Sequence, residues 1–137
     1  MEMLHATKMS RSLKALCDVN RIRILEILVK GEFCVSELVE KLAIDQPKVS
    51  HHLAILRSAG IIRSRRDGRH INYSIRPAVY RHIDQPQGAA DVFDLGELAV
   101  TFRFSEMEQE PKVTESSNLA SITGKVENGE SLGTAMN

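Results

Sequence analysis

Apolar residues recur at helical spacing along the first part of the chain, and the pattern predicts four helices. Steps of four and three residues place Met9, Leu13 and Leu16 on one face of the first helix. The second helix is apolar around much of its circumference, which favours a position in the middle of the core. The predicted helices span residues 3–17, 19–30, 35–42 and the segment between Asp45 and Gly60.

Polar residues at the ends of these segments set their limits. Asp18 and Asp45 are suited to N-cap positions, because a carboxylate accepts hydrogen bonds from the free N–H groups of the first helical turn. Cys34 occupies the corresponding position before the third helix, and Glu37 follows it at the spacing of a capping box. Gly60 is expected to end the fourth helix. The third and fourth helices, joined by a short turn, predict a helix-turn-helix unit.

Residues 61–75 change to the alternating pattern of a β-hairpin. Ile71, Tyr73 and Ile75 are predicted to alternate toward the core, and Asp67-Gly68 is predicted to form a type I′ turn between the two strands. A hairpin that directly follows a helix-turn-helix unit is a wing. The expected fold class is therefore a winged helix-turn-helix, mainly α with a small β-hairpin wing.

The chain beyond the hairpin shows shorter patterns. Pro77 is a suitable first residue for a fifth helix over 77–84, and alternation in 98–104 predicts a short strand or an extended arm. From Ser105 the chain is polar and has no periodic apolar face, so 105–137 is predicted to be a disordered acidic and polar tail. Residues 1–104 are then expected to form one folded domain.

Composition narrows the class of protein. The 137 residues are 42% apolar and 26% charged, as in ordinary globular domains. No apolar run approaches the length of a membrane span and the N-terminus lacks the apolar core of a signal peptide, so a cytoplasmic protein is expected. In that reducing compartment Cys17 and Cys34 are expected to be thiols. The sequence has no Gly-rich phosphate loop, nucleophile elbow or HExxH motif, which argues against an enzyme.

Charge is segregated along the chain although the formal net charge is zero. Residues 105–137 contain six Glu and two Lys, whereas residues 45–76 contain seven basic and two acidic residues. The excess of positive charge falls on the fourth helix and the hairpin. This distribution favours a domain that binds the phosphates of double-stranded DNA.

The fourth helix and the hairpin divide the expected DNA contacts between them. The second helix of a helix-turn-helix normally lies in the major groove, and its outward residues are expected to read bases: Gln46, Ser50 and His51. Contacts to the DNA backbone are expected from Lys48, Arg65, Arg66 and Arg69. His52 is interpreted as a packing or phosphate-contacting residue at the helix flank. Because adjacent side chains on a helix point about 100° apart, the two histidines are not expected to share a metal ion.

These residues resemble the ArsR/SmtB type of arsenic- and metal-responsive repressors over residues 9–77. The resemblance rests on Asp18 and Arg21 followed by Ile24-Leu25, on Val49 to Leu53 with Leu56, and on the wing from Arg66 to Arg69. It implies a homodimer built from the first and last helices. It also implies a repressor that binds an inverted-repeat operator and is released by a metal, a metalloid or a thiol-reactive signal.

The sequence departs from the family pattern at the residues expected to sense that signal. Arsenite-sensing members carry Cys-Val-Cys in the third helix, whereas Ser36 here replaces the second cysteine and is a poor ligand for a soft metal ion. Zinc-sensing members use Asp and His of the last helix, and the spacing of the candidates here does not match: His82, Asp84, Asp91 and Asp94. No metal ligand is assigned, and a metal or metalloid ion stays a candidate inducer.

The two cysteines are the candidate sensing thiols. Cys34 lies at a helix N-terminus, where the helix dipole favours the thiolate, and the alternative is a cap residue that packs as a small apolar side chain. Cys17 lies on an apolar helix face and is interpreted as a core residue. Two other functions stay open. One is a winged-helix regulator without a small-molecule inducer, and the other is a winged-helix module that binds protein.

Overall fold

The computed structural model describes residues 2–104, in which four helices and six strands are present. The helices are α1 (Glu2–Leu16), α2 (Val19–Leu28), α3 (Val35–Leu42) and α4 (Gln46–Ser58). The strands are β1 (Phe33–Cys34), β2 (Ile62–Asp67), β3 (His70–Ile75), β4 (Tyr80–Gln85), β5 (Gly88–Asp94) and β6 (Ala99–Phe102). The predicted tail, 105–137, lies outside the described residues. Among the described helices, none has the length and apolar character needed to cross a membrane.

All four predicted helices are confirmed, and their ends follow the local signals. The Asp18 carboxylate accepts hydrogen bonds from the backbone N–H groups of Asn20 and Arg21 at 2.8 and 3.1 Å, which caps α2. The Cys34 backbone N–H donates to the Glu37 carboxylate at 3.0 Å, as expected for a capping box at α3. Asp45 also occupies an N-cap position, but its side chain makes no cap hydrogen bond to α4.

The hydrophobic core lies between the helices, the inner face of the wing and the second sheet. Helix α2 contributes Ile24 and Leu25, neither of which is exposed, so its predicted central position is confirmed. Helix α4 contributes three residues on one face, Val49, Leu53 and Leu56. These residues belong to one cluster with Leu38 and Leu42 of α3, Ile61, Ile62 and Ile75 of the wing, and Phe93 of β5.

The wing is a three-stranded antiparallel sheet in the order β1-β3-β2. Its hairpin was predicted, but two details were wrong. Ile71, predicted to face the core, is 46% exposed because it lies next to the wing tip, and the position of the turn differs by one residue. Asp67 pairs with His70, so the turn residues are Gly68 and Arg69, and only Gly68 of the two has a positive φ (60°). This is the pattern of a type II′ turn, in which Gly at the first turn position adopts the left-handed conformation without steric cost.

The predicted fifth helix over 77–84 is wrong. Pro77–Val79 forms a single 3₁₀ turn, and the chain then continues as β4 of a second antiparallel sheet in the order β4-β5-β6. Strand β5 runs through the middle of this sheet, and its residues Ala90 to Phe93 are all buried. Because β5 pairs with β4 on one side and β6 on the other, its buried backbone groups are satisfied, a non-local gain that outweighs the local helix signal of Pro77. The strand expected within 98–104 is confirmed as β6.

The second sheet packs against the helical core through Phe93, which belongs to the core cluster and has Tyr80 and Phe102 packed next to it. The Phe93 ring lies 5.5 Å from the rings of both Tyr80 and Phe102, measured between centroids.

Within residues 2–104 no α-helix follows α4. A last helix, which was predicted to form part of the dimer interface, is therefore not present in the described part of the chain.

Candidate DNA interface

Helix α4 separates the residues predicted to read DNA from those that hold the helix in place. Val49, Leu53 and Leu56 are fully buried and fix the orientation of the helix. Gln46 and Ser50, predicted to read bases, are exposed. Lys48 is also exposed, and its ammonium group lies 3.9 Å from the Asp45 carboxylate. The Gln46 amide, the Ser50 hydroxyl and the Lys48 ammonium group are therefore available to a nucleic acid.

His51 is exposed and lines a groove of about 460 Å³ between α1 and α4. The same groove is lined by Arg11, Lys14 and Arg21, so it carries positive charge at its rim. His51 therefore faces a basic groove on the side of α4 that is next to α1, whereas Gln46 is not among the residues that line it.

An inner network fixes α4 relative to α1 and α2. The Arg21 guanidinium donates to the Lys14 and Ala15 carbonyls at the end of α1, at 3.0 and 2.7 Å, and to His52 Nδ1 at 3.1 Å. Burial lowers the pKa of His52, which favours the neutral ring that can accept this bond. His52 is thus a packing residue, one of the two roles expected of it. The pKa of Asp18 is lowered, chiefly because its carboxylate accepts a hydrogen bond from the backbone N–H of Arg21.

A second contact joins α4 to the wing. The Arg57 guanidinium, near the end of α4, donates to the Ser64 hydroxyl of β2 at 3.2 Å. Together with the buried Ile61 and Ile62, it holds the hairpin at a fixed place next to the helix. The helix and the wing can therefore approach DNA as one preorganised surface. No local pattern in the sequence marks Arg57, because its partner hydroxyl lies on another element.

The wing arginines are exposed but differ in what they contact. Arg66 donates to the carbonyl of Gly68 at 3.4 Å, and Arg69 lies in the turn itself. Arg65 makes a bidentate contact with the Glu32 carboxylate, through Nε at 3.0 Å and Nη2 at 3.2 Å. This hydrogen-bonded pair raises the pKa of Arg65, which stays fully charged. Nothing in the sequence around Glu32 marks it as a partner of the wing.

The two cysteines lie in different environments. Cys34 is half-buried and belongs to β1, where it pairs with Asn72 of β3, and its Sγ lies 3.1 Å from the Ser36 hydroxyl oxygen. Asn72 in turn pairs with Arg65, so the thiol shares a row of the wing sheet with a predicted DNA contact. Cys17 is exposed between α1 and α2. Its interpretation as a core residue is therefore wrong, because the apolar face of α1 ends at Leu16.

The zinc-site candidates form a hydrogen-bonded cluster on the second sheet. His82 bridges two carboxylates, with Nδ1 at 2.9 Å from Asp91 and Nε2 at 3.2 Å from Asp84. The hydrogen bond to Asp91 raises the pKa of His82, and the Tyr80 hydroxyl donates to the same buried Asp91 oxygen at 2.6 Å. Asp94 instead accepts from the N–H of Gly96. Across residues 2–104 no group of three or more His, Cys, Asp or Glu side chains is arranged to hold a metal ion.

Comparison with known proteins identifies the family. A family model described as bacterial regulatory protein, arsR family, matches residues 18–64, which run from the cap of α2 into β2. Over 101 residues the chain is 37% identical to the arsenic resistance transcriptional regulator ArsR1 of Pseudomonas putida, covering 72% of this chain and 79% of that regulator. The chain belongs to the arsR family. This arsR-family chain is also 37% identical over 71 residues to the transcriptional repressor SdpR of Bacillus subtilis, covering 52% of this chain and 79% of that repressor.

Solved structures agree with the fold of this arsR-family chain. NolR from Sinorhizobium fredii is 34% identical with a TM-score of 0.52, and the match covers 54% of this chain and 74% of NolR. The homodimeric winged helix-turn-helix DNA-binding domain of Mb0332 from Mycobacterium bovis is 28% identical, also with a TM-score of 0.52, over 54% of this chain and 68% of that domain. The predicted winged helix-turn-helix is confirmed, and the chain is a DNA-binding transcriptional regulator.

Proposed function

We propose that this arsR-family chain is a repressor that binds an inverted-repeat operator as a homodimer and leaves it when Cys34 meets a thiol-reactive compound or a soft metal or metalloid ion. The observation that carries the DNA-binding part is the arrangement of α4, whose apolar face is locked in the core while Gln46 and Ser50 remain exposed. In this proposal Gln46, Ser50 and His51 read bases. The backbone is held by Lys48, Arg65, Arg66 and Arg69.

The proposed dimer is built on α1. This helix exposes apolar side chains that a monomer would leave in water: Met3 is 85% exposed, Leu4 59% and Leu13 46%. Leu4 and Leu13 are nine residues apart and lie on opposite sides of α1, so one contact does not cover both. In a two-fold dimer the same patch of both subunits meets, so part of this exposed apolar surface can be covered by its copy. The winged domain of the M. bovis relative is homodimeric, which supports a homodimer here.

The proposed release acts through the thiol of Cys34. Two relatives are named for resistance to soft elements: the arsenic resistance regulator of P. putida, and a probable mercury resistance operon repressor of Streptomyces lividans that is 38% identical over 71 residues, covering 52% of this chain and 57% of that repressor. The described residues offer no three-ligand metal group, so reaction or coordination at one thiol is the simpler route. A larger group on Cys34 would disturb the pairing of β1 with the wing strand β3.

Replacing Cys34 by serine tests this role. We expect Cys34→Ser to bind operator DNA like the wild type, because serine is of similar size and Cys34 is not one of the proposed DNA contacts, and to resist release by arsenite or a thiol oxidant. The matched control is Cys17→Ser, which should be released like the wild type. Both are measured by fluorescence anisotropy of the DNA complex during titration with the reagent. Release of Cys34→Ser at wild-type concentrations contradicts the role of Cys34, whereas a wild type that no reagent releases favours a regulator without an inducer.

A further inference from the structure

The contact between Glu32 and Arg65 joins a loop residue to the DNA-binding wing. Glu32 lies just before β1, and Arg65 lies on β2. Strand β3 runs between them in the sheet, so the Glu32 side chain reaches across β3 to contact Arg65. The contact is bidentate, the geometry in which arginine binds carboxylates and phosphates most firmly. The Arg65 side chain is 60% exposed and that of Glu32 is 35% exposed, so the pair lies where a DNA phosphate could also reach it.

Arg65 differs in this respect from the other wing arginines. Arg63 donates to the hydroxyl of Ser74 and Arg66 to the carbonyl of Gly68, and neither partner carries charge. Within residues 2–104, Arg65 is the one arginine of β2 whose charge is balanced by a carboxylate in a salt bridge. A phosphate that binds the Nε and Nη2 edge of Arg65 must first displace the carboxylate, which presents the same planar pair of oxygens.

We propose that Glu32 restrains DNA binding by holding Arg65 in an ion pair that a DNA phosphate must displace. The inference rests on the proposed contact of Arg65 with the DNA backbone. Glu32 acts through Arg65 and is not itself a DNA contact. The negative charge of Glu32 also lowers the number of counterions that DNA releases when the wing binds, because Glu32 has already neutralised part of the charge of Arg65.

A double-mutant cycle tests the proposal, with Glu32→Gln, Arg65→Gln and the double variant compared with the wild type. Glutamine has the size of Glu32 without its charge, and at position 65 it is a shorter, uncharged side chain that keeps an amide group. The probe is a mixed-sequence DNA duplex of about three helical turns, since backbone contacts do not depend on sequence. Affinity is measured by fluorescence anisotropy from about 50 to 200 mM salt. Thermal unfolding of each variant checks that the fold is retained, and Glu40→Gln on α3 serves as a control for the loss of one exposed carboxylate.

We expect Glu32→Gln to bind DNA about two- to fivefold more tightly at the lowest salt, the range that an exposed ion pair supplies. The gain should disappear when Arg65 is already Gln, and Glu40→Gln should give none. Unchanged or weaker binding of Glu32→Gln overturns the inference, and so does an equal gain in both backgrounds, which would mean that Glu32 acts as a general charge. If Arg65→Gln binds like the wild type, the proposed DNA contact fails and the inference fails with it. If Glu32→Gln gives no gain but Arg65→Gln weakens binding, the inference fails while the proposed function stands.

Discussion

Leu53→Ala is expected to lower the free energy of unfolding by about 2–5 kcal/mol. Leu53 lies on the buried face of α4 and has no exposed surface, so the substitution removes apolar contacts and leaves a cavity in the core. Because domains of this size are stable by only about 5–15 kcal/mol, the loss is a large part of the total. The same face of α4 holds the exposed residues in position, so DNA affinity should fall as well.

Urea unfolding followed by circular dichroism measures this loss. Ile71→Ala provides the matched control, because Ile71 is 46% exposed near the wing tip and its truncation should change stability by only about 0.5 kcal/mol. An equal, small effect of both substitutions would contradict the placement of α4 against the core.

Gln46→Ala is expected to reduce discrimination at one base pair of the operator by about 1–3 kcal/mol. Gln46 is the exposed first residue of α4, and its amide can make a bidentate contact with adenine. Arg69→Ala should behave differently, because an arginine in the wing turn holds phosphates that are the same at every base pair. It should weaken binding to all sequences alike and, because both subunits of the dimer lose one contact, reduce the steepness of the salt dependence by about 1.8.

These two variants are compared by measuring affinity for the operator and for a set of operators with single base-pair substitutions. The division of roles predicts a change confined to one position for Gln46→Ala and a uniform change for Arg69→Ala. Loss of affinity to the same extent across all sequences in both variants would contradict that division.

The helices were predictable because their signals are local. Asp18 and Glu37 make their predicted cap hydrogen bonds within three residues of the groups they satisfy, and the period of Val49, Leu53 and Leu56 marks the buried face of α4 directly in the sequence. Asp45 shows the limit of such signals, because it occupies the expected position without making the expected bond.

The second sheet was not predictable in the same way. Pro77 begins a turn as readily as it begins a helix, and the choice is made by β5, whose buried residues need partners on both sides. The prediction of the wing turn was wrong for a smaller reason. Asp67-Gly68 suits the centre of a type I′ turn, but the pairing of Asp67 with His70 makes Gly68 the first turn residue.

The candidate site was predicted by residue type but not by its contacts. Gln46, Ser50 and the wing arginines are exposed as a DNA surface requires. The partner of Arg65 lies 33 residues earlier in the chain, and the short strand that brings Glu32 and Cys34 to the wing has no periodicity of its own. Such a separation carries no signal in a single sequence.

The central claim is that α4 and the wing bind double-stranded DNA, and the salt dependence of wild-type affinity tests it most directly. With Lys48, Arg65, Arg66 and Arg69 on phosphates in both subunits of a dimer, the logarithm of the association constant should fall linearly with the logarithm of salt concentration, with a slope on the order of −7. Little affinity for duplex DNA at any salt concentration would contradict the claim and would favour a winged helix that binds protein.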